Sequence, residues 1–330
     1  MTTPEPTSSG RAKADPASPA VAPVSRGSGS LQGAGIYGLL LLIGLWLVWG
    51  TSWPAMRIIF TNVPVWQFRA VTCAISAVVL LAIGLMMREG WRVPRRQWGV
   101  LILAAIFNMT VWHICVGYGL SMIGAGHGAI ITYTLPVWTA ALSVFVLKQP
   151  LTWRTSLAVV LGVAGVLVLL SSDFKAIGTS PLGAVYLLGA AIAWAIGTLI
   201  VKRVKWTVGI YSLAGWQLLI GAIPIYVIAL LSERFMLHEI RGQTLWAALY
   251  ITFIALIAGY ALWFKIVEAF PPIIASLGSL MVPVIGVVSG ALVLGEAVGW
   301  IEGLALLLVL TAISLVLFNW PRRSKQPPPD

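Results

Sequence analysis

Ten apolar segments follow one another along the chain, and each is long enough to cross a membrane. A hydrocarbon core of ~30 Å needs ~20 apolar residues in a helix. Lipid also forces such a segment to be helical, because its backbone must satisfy its own hydrogen bonds. The pattern predicts an all-α integral membrane protein with about ten transmembrane helices, numbered here span 1 to span 10. They run over about 36–56, 66–87, 98–120, 126–147, 155–172, 182–201, 209–231, 245–267, 273–294 and 301–318.

The ends of the chain differ in composition from the spans. Residues 1–31 are rich in Pro, Ser, Ala and Gly and contain no apolar run, which predicts a disordered tail. Residues 321–330 form a short basic tail with several prolines. Between the tails, 36–172 and 182–318 are two blocks of five spans each, which we interpret as two domains.

The two blocks of five spans resemble each other. Leu135-Pro136-Val137 matches Val282-Pro283-Val284 at an offset of 147 residues, and Trp153 matches Trp300 at the same offset. Because five is an odd number, the second block must enter the membrane from the opposite face. The pattern therefore predicts two inverted five-helix repeats around a central cavity, an architecture seen in many secondary transporters, whose substrate site lies near the midplane.

Composition and charge support a membrane location. Hydrophobic residues make up 59% of the chain and charged residues 9%, whereas soluble domains carry about 25% charged residues. If the N-terminus is cytoplasmic, fifteen of the 21 Lys and Arg residues fall on the cytoplasmic side. The positive-inside rule then predicts a plasma-membrane protein, a bacterial inner-membrane one by our expectation, with both termini cytoplasmic. The net charge of +11 forms no dense basic face, so we expect no nucleic-acid partner.

Several motifs carry a family resemblance. The segment 49–57 (WGTSWPAMR) at the end of span 1 resembles the first-helix signature of the drug/metabolite transporter superfamily, in its ten-helix EamA-like branch. Phe68-Arg69-Ala70 in span 2 and Leu294-Gly295-Glu296-Ala297 after span 9 also fall where that family places its landmarks. The resemblance covers about 36–320. It implies a carrier of amino acids, sugars or other metabolites and does not fix the substrate.

Polar and aromatic residues inside the spans are the candidate substrate-binding residues. His113 in span 3 matches Tyr260 in span 8 at the 147-residue offset, which predicts two hydrogen-bonding groups on opposite walls of the cavity. For His113, substrate contact, proton sensing and a helix–helix hydrogen bond all remain open. Trp49 matches Trp194 at an offset of 145 and predicts a pair of cavity walls. The predicted set is completed by Arg69, Tyr133 and Ser276.

Four residues are candidates for gates or hinges. Pro54, Pro136 and Pro283 interrupt spans 1, 4 and 9, and each frees a backbone carbonyl and permits a kink. Arg57, like Arg69, lies near the outer face, where it could attract an anionic group or simply extend to the membrane interface.

The sequence contains no pattern that favours an enzyme. Asp and Glu are missing from the span centres, and neither a P-loop nor an H-E-x-x-H motif is present. We therefore expect no catalytic residues, metal or cofactor. The leading hypothesis is a secondary carrier that exports an amino acid or related compound by alternating access, and the alternative is a membrane enzyme acting on a lipid or prenyl substrate. The expected partners are a small-molecule substrate and the lipid bilayer, with a homodimer left open.

Overall fold

The protein is a bundle of helices, seen here in a computed structural model. It describes residues 31–60, 62–123, 131–148, 152–171, 181–232, 240–294 and 299–317. Within these ranges all regular secondary structure is helical. The first helix already begins at Leu31, five residues before the predicted start of span 1. The rest of the two predicted tails lies outside the described residues.

The described helices account for all ten predicted spans and confirm the predicted fold class. Spans 1–3 and 6–9 are each long and apolar enough to cross a membrane, and spans 4, 5 and 10 form shorter apolar helices. In the first repeat, spans 1 to 5 comprise Leu31–Gly50 with Ser52–Phe60, Val65–Met86, Arg95–Ala105 with Ile106–Val111 and Trp112–Ile123, Leu135–Leu147, and Trp153–Ser171. In the second, spans 6 to 10 comprise Pro181–Arg203, Ile210–Ser232, Gly242–Leu249 with Tyr250–Ala258 and Gly259–Ala269, Pro272–Gly278 with Met281–Leu294, and Trp300–Leu317.

The outer surface of the bundle is apolar. Large aliphatic side chains that no other part of the protein covers occur on most spans, including Leu40, Leu231 and Leu292. A helix that is apolar on every side needs an apolar solvent outside as well as an apolar core inside. Lipid provides that solvent, so the bundle spans a membrane.

Contacts between the two repeats follow an approximate two-fold symmetry. Spans 2 and 7 are equivalent and pack along each other, as do spans 5 and 10. Span 6 packs on spans 3 and 4, and its equivalent, span 1, packs on spans 8 and 9. Exchanging the repeats therefore leaves these principal contacts between spans unchanged. Because each repeat has an odd number of spans, the two repeats are inverted relative to each other in the membrane.

Spans 1, 4 and 9 are interrupted just before the predicted prolines. The α-helix of span 1 breaks at Thr51, three residues before Pro54. Proline at position i cannot bond the carbonyl at i−4, so Pro54 frees the carbonyl of Gly50. That carbonyl accepts a hydrogen bond from the hydroxyl of Ser289 in span 9 at 3.3 Å. The freed backbone group is thus satisfied by the neighbouring span, as the hydrocarbon interior requires.

The breaks in spans 4 and 9 are repeat equivalents. Residues 133–134 form a turn ahead of Pro136, and residues 279–280 form a turn ahead of Pro283. Broken helices near the midplane are a common feature of transporters built from inverted repeats.

Spans 3 and 8 share a second irregularity. Each contains a π-helical segment, Ile106–Val111 in span 3 and Tyr250–Ala258 in span 8. At the 147-residue offset the first corresponds to residues 253–258, so the two segments end at equivalent positions. His113 and Tyr260 each follow two residues after the end of their segment. Segments of π-helix are rare and often lie at functional sites.

Candidate functional site

A partly enclosed cavity of about 130 Å³ lies between the two repeats. It occupies the half of the bundle in which span 1 ends and span 2 begins, which the Lys and Arg distribution predicts to be the outer half. Its wall is mainly aromatic and aliphatic, with a few polar groups. The lining residues used below are Trp49, Phe60, Phe68, Arg69, Thr72, Cys73, Trp112, His113, Tyr133, Trp194, Tyr260, Trp263 and Ser279.

Five aromatic side chains form the floor of this cavity, named here the aromatic floor: Trp49, Trp112, Trp194, Tyr260 and Trp263. Trp49 contacts Trp194 with ring centroids 5.8 Å apart and contacts Trp263 at 5.7 Å. Tyr260 lies 6.0 Å from Trp49 and 5.9 Å from Trp194, and Trp112 lies 4.7 Å from Trp194. These separations are typical of favourable edge-to-face and offset aromatic pairs.

The indole of Trp49 is fixed by a hydrogen bond as well as by packing. Its Nε1–H donates to the carbonyl of Ala255 at 3.0 Å, inside the π-helical segment of span 8. In a π-helix the backbone bonds run from i to i+5, and the altered ladder leaves this carbonyl available to a side chain. Because the Nε1–H of Trp49 already donates to this carbonyl, Trp49 can contact a solute only through the surface of its ring.

Arg69 brings a positive charge into the cavity wall. Its side chain is only 8% exposed, and its Nε atom has no hydrogen-bond partner among the described residues. The guanidinium carbon lies 5.5 Å from the centroid of the Phe60 ring, within the range of a cation–π contact. The described wall residues include neither Asp nor Glu.

His113 is held in the wall by both ring nitrogens. Its Nδ1 lies 2.9 Å from the carbonyl oxygen of Met109, so Nδ1 carries the proton and donates it to that bond. The other nitrogen, Nε2, lies 3.8 Å from the Sγ of Cys73 in span 2, where it can accept from the thiol. The imidazole thus joins spans 2 and 3 beside Arg69.

The opposite half of the bundle is tightly packed. Leu42 and Leu45 of span 1 are fully buried, and the indole of Trp46 donates to the carbonyl of Gly278 in span 9 at 2.6 Å. At the end of this half, the Nζ of Lys202 donates to the carbonyls of Val267 and Glu268 at 2.6 and 2.9 Å. These bonds tie span 6 to the C-terminal end of span 8, where unpaired carbonyls favour a cation.

The structure brings most of the predicted binding residues to one cavity. Trp49, Trp194, Arg69, Tyr133, His113 and Tyr260 all line it. Ser276 does not: it is buried in span 9 and donates to the carbonyl of Ile273 in its own helix at 2.9 Å. Ser279, one turn later, lines the cavity in its place, because span 9 breaks at that residue.

The three predicted hinge prolines are not among the described residues that line the cavity. Pro54, Pro136 and Pro283 follow the helix breaks of spans 1, 4 and 9. Arg57 lies in the helix Ser52–Phe60, and its side chain is outside the described part of the structure.

Several lining residues were not predicted as binding residues, and three of these contact predicted ones. Trp112 and Trp263 belong to the aromatic floor, and Cys73 contacts His113. Their repeat equivalents are different kinds of residue: at the 147-residue offset Trp112 corresponds to Gly259, and Trp263 to Val116. Comparison of the repeats therefore gave no signal for either tryptophan. Among the described residues no three His, Cys, Asp or Glu side chains come together as metal ligands.

Comparison with known proteins assigns the fold and the family. A solved crystal structure superposes with a TM-score of 0.72 at 19% identity, over 87% of this chain and 96% of the other. An uncharacterized transporter of Bacillus subtilis, YoaV, is 24% identical over 86% of this chain and 98% of its own length. A probable amino-acid metabolite efflux pump of Escherichia coli is 25% identical over 86% of this chain and 95% of its own length.

The profile of the EamA-like transporter family matches this chain twice, over residues 36–171 and 181–318. Each match covers one of the two five-span repeats described above. The chain therefore belongs to the EamA-like transporter family.

Proposed function

We propose that the protein is a secondary carrier that exports an amino acid or a related small metabolite by alternating access. The observation that supports this best is the single-sided cavity between two inverted repeats. One half of the bundle is closed by Trp46, Leu42 and Lys202, while the other half holds the cavity. Since the repeats are equivalent, exchanging their conformations would close the present opening and open the other end.

The proposed substrate class rests on the cavity wall and on one relative. An arginine and a floor of aromatic rings suit a small molecule that carries a carboxylate and an apolar side chain. The Escherichia coli relative, at 25% identity, is named as a probable amino-acid metabolite efflux pump. The driving force would be the substrate gradient, exchange of substrates, or proton coupling through His113.

We further propose that the protein resides in the plasma membrane with both termini in the cytoplasm. Lys and Arg residues are concentrated on the face that carries Arg92 and Lys205, and such residues favour the cytoplasmic side. In this orientation the cavity lies in the outer half of the bundle, and we assign the structure to an outward-facing state of the proposed cycle.

Solute counterflow in proteoliposomes tests the carrier function. Vesicles are loaded with an unlabelled amino-acid mixture, and uptake of each labelled amino acid is followed from outside. A carrier gives a transient accumulation that saturates and depends on the internal load. Formation of a chemically altered product in detergent, with no compartment present, would instead support the alternative of a membrane enzyme.

Two substitutions connect transport to the cavity. His113→Phe removes the bonds to Met109 and Cys73, and Tyr260→Phe removes the phenol group from the aromatic floor. Both should slow counterflow while the variants still insert and purify normally. Arg88→Gln is the matched control, because Arg88 is exposed at the end of span 2, far from the wall. Normal transport by both cavity variants would mean that the substrate passes elsewhere.

A further inference from the structure

Arg69 is a buried cation with no matching anion among the described residues of the cavity wall. A charged group inside a membrane protein normally pairs with another charge or faces a substrate pathway. All ten Asp and Glu residues of the sequence lie in tails, in loops or near the ends of spans. None lines the described wall of the cavity. Within the part of the chain that the structure describes, the wall supplies no anion for Arg69, which leaves this place to a bound solute.

The neighbours of Arg69 leave its guanidinium group free for such a partner. The hydroxyl of Thr72 is occupied, because it donates to the carbonyl of Phe68 at 2.8 Å. His113 uses its ring nitrogens toward Met109 and Cys73. Phe60 offers only its ring face, at 5.5 Å. Arg69 is thus the one permanently charged side chain among the described wall residues, and its Nε–H is an unused donor.

From this geometry we propose that the cavity selects organic anions, with Arg69 binding the substrate carboxylate and the aromatic floor holding an apolar body. This rests on the carrier function proposed above and narrows its substrate class. A guanidinium group matches a carboxylate with two parallel hydrogen bonds. A phosphate dianion carries more acceptor atoms and charge than this single cation can neutralise in so apolar a wall.

The same wall sets an order of preference among substrates of equal size. An ammonium group in the cavity would meet the positive field of Arg69 and, in the described wall, no carboxylate. A monoanion is therefore favoured over a zwitterion, and a zwitterion over a cation. The amino group of an amino acid contributes nothing to recognition in this arrangement, so carboxylates without an amino group are preferred substrates.

A matched series of phenyl compounds tests this order. Phenylacetate, phenylalanine, 2-phenylethanol and 2-phenylethylamine share one apolar body and differ in charge. Binding to purified full-length protein in nanodiscs is measured by quenching of tryptophan fluorescence, since four tryptophans form the floor. We expect phenylacetate to bind about 10- to 100-fold more tightly than 2-phenylethylamine, which is the range of one charge-assisted contact.

Arg69→Gln should remove this preference, and Arg69→Lys should keep its direction with weaker binding, because a lysine retains the charge without the planar fork. Arg92→Gln is the control, since Arg92 also lies 5.5 Å from an aromatic ring but is exposed outside the cavity. If Arg69→Gln does not fold, binding of the four phenyl compounds to the unmodified protein and to Arg69→Lys still tests the proposed preference for anions. Equal binding of cation and anion by the unmodified protein, or an unchanged preference in Arg69→Gln, overturns the proposal.

The binding test is separate from the test of transport. Anion-selective binding without counterflow of either labelled amino acids or labelled phenylacetate would retain the Arg69 site and refute the carrier. Counterflow that Arg69→Gln and Arg69→Lys leave unchanged would retain the carrier and refute the anion site.

Discussion

At the scale of single residues, the aromatic floor depends on a glycine beneath it. Gly259 begins the last α-helix of span 8, and a Cβ atom added there would collide with the indole Nε1 of Trp49. That nitrogen is the donor to the Ala255 carbonyl. Position 259 therefore accepts only glycine, which has no Cβ atom, while the Trp49 indole keeps this orientation.

Gly259→Ala should therefore displace Trp49 and lower both stability and transport. Overpacking a close-packed interior costs about 1–3 kcal/mol, which would appear as a lower melting temperature of the detergent-solubilised protein. Gly303→Ala in span 10 is the matched control, because a Cβ there meets no atom within 4 Å. An equal loss in both variants would show that the effect is general to glycines of this bundle.

Cys73 offers a second residue-scale test of the cavity. The protein has two cysteines, and Cys73 lines the cavity while Cys115 does not. In the Cys115→Ala variant, a small methanethiosulfonate reagent should attach to Cys73 and block counterflow, because the added group fills the space beside His113. Excess substrate should slow the modification. The doubly substituted Cys73→Ala, Cys115→Ala protein should be insensitive, and inhibition that persists in it would contradict the assignment.

The sequence predicted residues that line the cavity where the two repeats share a chemical role at equivalent positions. Trp49 and Trp194 share a residue type, and His113 and Tyr260 share polarity within an apolar span, so comparing the repeats identified them. The repeat equivalent of Trp112 is Gly259, so comparing the repeats could not identify Trp112 as a cavity residue. Ser276 was predicted to line the cavity because the hydrophobic pattern does not show where span 9 breaks. The break lies at residues 279–280, and Ser279 rather than Ser276 faces the cavity. Side-chain direction at such a break follows from backbone geometry, which a hydrophobic pattern does not encode.

At the scale of whole elements, we predict that the link between spans 6 and 8 holds the closed half together, and we call it the latch. Lys202 donates to two carbonyls at the end of span 8 and so satisfies backbone groups that the helix cannot pair internally. If the proposed cycle opens this half by separating spans 6 and 8, both bonds must break.

Lys202→Met should loosen the closed half and shift the population toward the other state. Leu42 is fully buried there, so we would place a reporter cysteine at this position in a protein lacking Cys73 and Cys115. Its labelling by a maleimide should become faster in Lys202→Met. Arg203→Met removes a cation from the adjacent exposed position and should leave the rate unchanged. Equal rates in all proteins would mean that the latch contributes nothing to closure.

The extents of the elements could be read from hydrophobicity, whereas their irregularities could not. The Val65–Met86 helix lies within a residue of the predicted span 2, because a lipid-crossing segment must be apolar along its whole length. The π-helical segments in spans 3 and 8 left no trace in the pattern. Isolated polar residues such as Asn108 and Thr252 lie in them, but similar residues also occur in regular helical parts of the spans. The backbone of the segment in span 8 is contacted from another span by the indole of Trp49.

At the scale of the whole molecule, the proposed carrier mechanism depends on the two repeats being inverted. Their sequence similarity, the symmetric contacts and the two family matches agree on this architecture. The orientation of the bundle in the membrane is a separate matter, which rests on the distribution of Lys and Arg.

Labelling of two exposed positions tests inversion and orientation together. Arg92 follows span 2 and Gln243 begins span 8, so they occupy the equivalent connections of the two repeats, and both are exposed. Inversion places equivalent connections on opposite faces, whereas parallel repeats would place them on the same face. In intact cells an impermeant maleimide should label Gln243→Cys and not Arg92→Cys, and inside-out vesicles should give the reverse.

Each outcome of this labelling affects the mechanism differently. The reversed pattern would keep the inverted repeats but make the observed cavity open to the cytoplasm, so the structure would be the inward-open state and Lys202 an outer latch. Labelling of both positions from the same side would remove the symmetry itself. Alternating access would then lose its structural basis, because exchanging the conformations of the two repeats would no longer convert the closed half into an open one.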